Sequence, residues 1–288
     1  MLPYSGKVDE EMLKWIIPGV LLLSLLGVIG FSVWRFNIQI ARETKALFSN
    51  NPAAGHIIDE EMTKDLPAPV KRWLENSGVM GKEAIQTVHL KQKGLMRLKP
   101  EQEKWITAEA EQSFTVDHPG FVWRIKTSMA GVPVIGRDLF LNGRGSMEIR
   151  LAGTIPVVNL SNHEKINEST IQRYLGETVW FPSAALSPYI QWEPVDDYSA
   201  KATMSYGGTS GAAIFHFNDQ GEVTRFVAYR YRDINDEEPT EWVATVKETT
   251  MINGINIPTR LEASWILEDG AFTWYIFEID DVTYNQGG

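Results

Sequence analysis

Two hydrophobic patterns divide the chain. Between Lys14 and Arg35 runs WIIPGVLLLSLLGVIGFSVW, a stretch without a charge. At a rise of about 1.5 Å per residue it reaches about 30 Å, the thickness of bilayer hydrocarbon. Trp15 and Trp34 close its two ends, where indoles favour the headgroup boundary. Pro18 falls in the first turn, where a missing N–H does little harm. A cleaved signal peptide would carry an apolar region of roughly 7–15 residues followed by small residues. This run is longer and continues into WRFNIQIARETK. It therefore predicts an uncleaved membrane helix over 15–34, behind a tail of residues 1–14.

Helical character continues beyond Arg35, with Ile40, Leu47 and Phe48 as its apolar marks, and NNPAAG (50–55) reads as a linker. Residues 35–63 are thus assigned to a juxtamembrane helix and linker, and 64–288 to one domain. Its first element is a short helix in PVKRWLENSG, with Gly78 placed to cap the C-terminus. From Ile85 the period changes to two. VHLKQKGLMRL, KWITAEAEQSFTV, GFVWRIKTSMA and GRDLFLNGRGSMEIRL have strand length, and six more such segments follow position 198. Turn chemistry joins them at Asn218-Asp219-Gln220-Gly221, Asn253-Gly254 and Glu268-Asp269-Gly270, which implies antiparallel hairpins. The prediction is a mainly β domain, a curved antiparallel sheet or half-open barrel of about ten or eleven strands.

One insert breaks the strand series. ESTIQRYLGETVWFPSAAL places Ile171, Tyr174, Leu175 and Thr178 on one helical face, with Arg173 and Glu177 on its flank. A helix over 168–180 between two sets of strands suits a lid or plug across one mouth of the sheet.

Composition narrows the choice of partner. The net charge of −10 and a pI near 5.1 argue against nucleic acid, which needs a basic footprint. With no cysteine in the chain, disulfide, thiolate and Cys-metal chemistry are excluded, as is an acylated N-terminal Cys. Lys7 and Lys14 flank one side of the apolar run and Arg35, Arg42 and Lys45 the other, so charge barely orients it.

Catalytic motifs do not assemble. There is no G-x-S-x-G, and Gly208-Thr209-Ser210-Gly211 reads as a turn. His163-Glu164 begins a zincin motif, but Asn167 stands where the second His is needed. Asp196-Asp197 and Asp280-Asp281 are strand neighbours, expected to point to opposite faces. No metal, cofactor or catalytic residue is assigned, and the chain is not read as an enzyme. Aromatic richness remains: Trp123, Trp180, Phe181, Trp192, Trp242, Trp265 and Trp274 either fill a core or line a pocket.

The ordered succession LPAPVKRWLENSG, KQKGLMRL, GFVWRI, GRDLFLNGRGSM, RYLGETVWFPSAAL, QWEPVDDYSAKA, RYR and INGINIPTRLEASWIL resembles an uncharacterised bacterial family known only as a domain of unknown function, over 64–285. That family is similar in architecture to the lipoprotein carriers of the LolA/LolB type. The resemblance implies a half-open barrel with helices stopping an apolar cavity, and a domain outside the cytoplasm. Without an acylated Cys, and with a membrane helix, the chain departs from a diffusing carrier. The expected function is a membrane-tethered binding domain for a lipid, acyl chain or other apolar ligand. An interaction module without ligand, or an unrecognised hydrolase, stands as the alternative. The expected ligand contacts are Ile171, Tyr174, Leu175, Glu177, Trp180, Phe181 and Arg137.

Overall fold

The computed structural model describes residues 7–49 and 55–286, with side chains from Met12 onward. The linker read at 50–55 lies outside the described residues except for Gly55. Helix α1 (Lys7–Phe48) is continuous through the apolar run and the juxtamembrane segment, with Pro18 inside it. Helix α2 (Ala68–Ser77) begins with Pro69 in its first turn and ends on Gly78, whose φ of 75° lets its N–H turn back to Glu75 O.

Thirteen strands follow: β1 (Thr87–Met96), β2 (Ile106–Thr115), β3 (Gly120–Met129), β4 (Val132–Leu141), β5 (Arg144–Leu151) and β6 (Ile155–Ser161) precede helix α3 (Glu164–Glu177). After it come β7 (Ile190–Asp196), β8 (Ser199–Tyr206), β9 (Thr209–Phe217), β10 (Val223–Arg230), β11 (Thr240–Ile252), β12 (Ile255–Leu267) and β13 (Gly270–Tyr284). They form one antiparallel sheet in the order β6-β5-β4-β3-β2-β1-β13-β12-β11-β10-β9-β8-β7. The strand count exceeds the expected ten or eleven for two reasons. GRDLFLNGRGSMEIRL holds the ends of two strands around an Asn142-Gly143 turn with φ of 52° and 77°. Strands β6 and β7 bury little on either face, so period-two burial never marked them.

Those two are the outer edges, and each carries a proline, Pro156 and Pro194, which blunts an edge against further pairing. The chain crosses from one edge to the other through α3 and two short 3-10 turns. The sheet curls until the β4–β5 turn meets the β8–β9 turn, where Thr209 Oγ1 donates to Gly143 O (2.7 Å). Helix α3 lies inside the curl. Its close seat needs glycine on both partners: a Cβ at Gly176 would stand 2.9 Å from Phe226 Cζ, and one at Gly211 2.8 Å from Ile171 Cγ2.

The main core sits between the inner face of the sheet and α2 and α3. A second, smaller core lies outside, where Phe36, Ile40 and Leu47 of α1 bury against Val122 and Ile135. The second half of α1 is therefore part of the domain's packing, and not a free stalk. Arg124 Nη2 donates to Asn37 Oδ1 (2.8 Å), Arg150 stacks 4.5 Å over the Phe36 ring, and Arg137 Nε lies 3.2 Å from Glu43 Oε2.

Candidate functional site on the inner face of the sheet

Helix α3 starts on His163, whose Nδ1 accepts from Lys165 N (3.3 Å); this N-cap is what the His163-Glu164 pair does. The helix begins four residues before the expected 168, and Thr178–Trp180 is a 3-10 turn. The apolar stripe is as expected, with Ile171, Tyr174, Leu175 and Thr178 wholly buried. What they meet is a packed aromatic core. Tyr174 has Phe181, Phe140 and Phe114 within 5.7, 5.9 and 6.3 Å, and its hydroxyl donates to Thr115 O (2.8 Å). Trp180 donates from Nε1 to Pro258 O (3.1 Å), and Phe181 lies 4.8 Å from Phe114. Ile171, Tyr174, Leu175, Trp180 and Phe181 thus come together as the interior plug of the curl.

Arg137 and Asp138 part company because neighbours on a strand face opposite ways. Arg137 is on the outer face with Glu43 and Glu148, on the far side of the sheet from α3. Asp138 points inward and pairs with Arg173 Nη1. The i, i+4 pair expected on the helix is present, Arg173 Nε to Glu177 Oε1 at 2.8 Å. It extends into a buried polar cluster. Gln112 Nε2 donates to Glu177 Oε2 (2.7 Å), Trp123 Nε1 donates to Gln92 Oε1 (3.1 Å), and Arg230 Nη2 donates to Ser169 O (3.0 Å). Aromatic faces clamp both guanidinium groups: Arg173 is 4.5 Å from the Trp123 ring centre, and Arg230 is 4.8 Å from that of Trp242.

Burial dominates the electrostatics. It holds Asp138 above the usual carboxylate range against the pull of Arg173, and Glu177 likewise against Arg173 and Gln112. Burial and the charge of Arg173 push Arg230 down to about 10. Burial opposes the charge on Arg173 too, but Glu177 and Asp138 outweigh it and leave that group raised. Tyr275 is raised by burial. Several buried atoms here have no hydrogen-bond partner among the described residues: Gln112 Oε1, Arg230 Nε, Trp242 Nε1, Trp274 Nε1 and Tyr275 Oη. Each such buried group costs about 1–3 kcal/mol until something meets it.

Beside this cluster one cross-strand row, Met96–Tyr275–Ala263–Ala244, crosses the inner face through four strands. Small side chains at Ala263 and Ala244 stand between large ones, and Met96, Trp242, Ala244, Val246 and Trp274 remain only partly buried. The candidate site is this row together with the polar cluster. Sequence reading missed Gln112, Arg230 and Tyr275 as its members; it offered Trp274 as a core or pocket ring and left Asp138 open between a sheet-edge pair with Arg137 and a polar group at the mouth. The available signal was phase, since Asp138 alternates with inward Gly136 and Phe140 and so had to be an inward carboxylate.

The outer face offers a different feature, a groove of about 260 Å³ along Lys91, Lys93, Glu109, Glu111, Arg124 and Lys126. Its charges are largely paired: Lys93 with Asp280 at 3.0 Å, Lys91 with Asp281 at 3.9 Å, Arg124 with Glu111 at 3.7 Å. A bulge between Lys91 and Gln92 leaves Asp280 without a cross-strand partner, and both Asp280 and Asp281 are exposed. The expectation that they point apart does not hold. Among the described residues no three His, Cys, Asp or Glu side chains gather as metal ligands.

Fold and site together define a single curled antiparallel sheet plugged by an internal helix, carried on a long N-terminal apolar helix. The chain belongs to the family of unknown function DUF6920, whose family model matches residues 64–284. Among solved structures it is similar to a LolA superfamily protein from Nitrosomonas europaea, at 10% identity and a TM-score of 0.40, over 74% of this chain and 92% of that one. No curated protein matches it.

Proposed function

We propose that this protein is a membrane-tethered binding domain that takes a lipid, acyl chain or other apolar ligand on the inner face of its sheet. One observation carries the reading: the partly exposed Met96, Trp242, Ala244 and Trp274 lie beside buried donors and acceptors without a hydrogen-bond partner among the described residues. Apolar walls with a few converging polar groups are the general form of a small-molecule site. A chain lying against Met96, Trp242 and Ala244 would bring its polar end towards Tyr275, Arg230 and Gln112. Both carboxylates of the cluster are engaged by Arg173, which suits holding a polar group better than moving protons. The plug residues Ile171, Tyr174, Leu175, Trp180 and Phe181 then form the floor that shapes the site.

The tether is the charge-free run of α1, whose side chains from Met12 to Phe31 are mostly exposed and large. It keeps the domain where apolar ligands are concentrated. We place the domain outside the cytoplasm, as the carrier-type resemblance of its sequence implies; activity of a cytoplasm-only reporter fused at Gly288 would overturn that placement.

The functional test uses the full chain extracted in mild detergent, with co-purifying lipid identified by mass spectrometry. Ala244→Trp fills the row from its middle and is the comparison. A lipid species present near one per chain in the parent and lost in Ala244→Trp, with bulk lipid unchanged, supports the site. The same lipid profile from both proteins refutes it.

A further inference from the structure

We infer that two hairpin tips of the domain, β3–β4 and β5–β6, sit in the surface of the same bilayer that holds α1. This rests on the reading of α1 as a membrane span. Direction comes from two contacts. Gly153, in the β5–β6 turn with φ of 67°, packs so closely on Val33 that a Cβ there would clash with its Cγ2. At the other end, a Cβ at Gly120 would stand 2.8 Å from Leu47 Cδ1. Gly120 opens β3 and Met129 closes it, so α1 climbs the outer face from the edge holding the β3–β4 and β5–β6 tips to the opposite edge. Its apolar run continues past the first of these edges.

Depth follows from register. Val33 lies one residue inside Trp34, which marks the end of the span, so the β5–β6 turn stands at the hydrocarbon boundary. Ala152 N donates to Pro133 O, so the β3–β4 tip at Ala130-Gly131 extends beyond the β5–β6 turn by one to two residues. At about 3.4 Å per residue that is roughly 3–7 Å along the strand.

The chemistry of the tips agrees. Met129 (40%), Val132 (37%), Ile155 (56%) and Val157 (56%) are exposed apolar side chains clustered at one edge. No charged residue lies between Lys126 and Arg137, and no acidic or basic one between Arg150 and His163. Two other hairpins on the same edge of the sheet are charged, with Lys99, Glu101, Glu103 and Lys104 in the β1–β2 loop and Glu268-Asp269 at β12–β13. The tips flanking α1 combine exposed apolar side chains with a lack of charge, where continuity with the membrane run places lipid. An aqueous location would leave this patch in water for no return in packing.

The absence of cysteine makes the test direct. Single variants Leu25→Cys, Val132→Cys, Ile155→Cys and Asp117→Cys of the full chain are labelled with bimane and placed in phosphatidylcholine vesicles, with or without brominated acyl chains. Leu25 reports the span, and Asp117 is an exposed position in the β2–β3 turn at the opposite edge. Strong bromine quenching at positions 25, 132 and 155, with none at 117, is the expected result. Quenching at 25 alone overturns the inference while leaving the anchor intact. No quenching at 25 removes the anchor, and the inference falls with it.

Discussion

Removing the N-terminal apolar run at two different points tests how far the domain extends. With 64–288 as the domain and 35–63 as a helix and linker, deleting residues 1–45 would leave a folded unit. The structure moves that boundary, because the deletion strips Phe36 and Ile40, 1% and 5% exposed, from their seat on Val122 and Ile135. Burying each such side chain contributes about 1.5–3 kcal/mol, so the loss is about 3–6 kcal/mol. Glu43 goes as well, leaving Arg137 with Glu148 as its remaining acidic partner. Against a typical stability of about 5–15 kcal/mol the loss is a large fraction. A fragment starting at Val33 keeps the whole contact. For a domain of this size each kcal/mol moves Tm by about 2–4 °C, so the fragment starting at Ala46 should melt roughly 6–24 °C lower. It should also bind a hydrophobic dye through the bared Val122–Ile135 surface. The assay is calorimetry of both fragments at equal concentration, with dye fluorescence in parallel. Equal Tm values and no dye binding by the shorter fragment would show that the outer core contributes nothing.

Three further outcomes follow from the interior. Leu175→Trp overpacks a site with no exposed surface and should cost about 1–3 kcal/mol by denaturant unfolding; unchanged stability would mean that α3 covers open space. Tyr275→Phe removes a buried hydroxyl that has no partner, so the ligand-free domain should be as stable as the parent or more so, checked by Tm, whereas a marked loss would mean that the hydroxyl is bonded within the fold. Asp138 and Glu177 are both held above their ordinary values, so the native state binds protons that the unfolded state has released, and their contribution falls as pH rises from about 4 through the folded values. Unfolding free energy measured across that window should fall less steeply in Asp138→Asn/Glu177→Gln, and parallel slopes would refute the shift.

The outline of the fold was legible because it rests on local rules. The charge-free run, the Gly78 cap, the period-two strands and the stripe of Ile171, Tyr174 and Leu175 each lie within one segment of sequence. Strands β6 and β7 were not legible, since an edge strand exposed on both faces has no apolar alternation to read. Nor was the docking of α1. Phe36 reads as one more aromatic after a membrane run, and only the outward phase of Val122 and Ile135 on two other strands makes it a core residue.

The site was hidden for a related reason. Its polar members stand far apart in the chain: Gln112 on β2, Asp138 on β4, Arg173 on α3, Arg230 on β10 and Tyr275 on β13. They meet because α3 returns through the interior of a sheet whose two edges it connects, which places its charged flank against strands from both halves. Arg173 and Glu177 were visible as an i, i+4 pair, and as a surface pair they would contribute only a few tenths of a kcal/mol. Burial changes their meaning. Inside the curl the same pair, joined by Asp138 and Arg230, is a desolvated network held by aromatic faces. A fold seeking stability alone would do as well or better with apolar residues of similar volume. The groups that Gln112, Arg230 and Tyr275 leave unpartnered are the part of that network which intramolecular packing does not account for, and which a polar group of a ligand would complete.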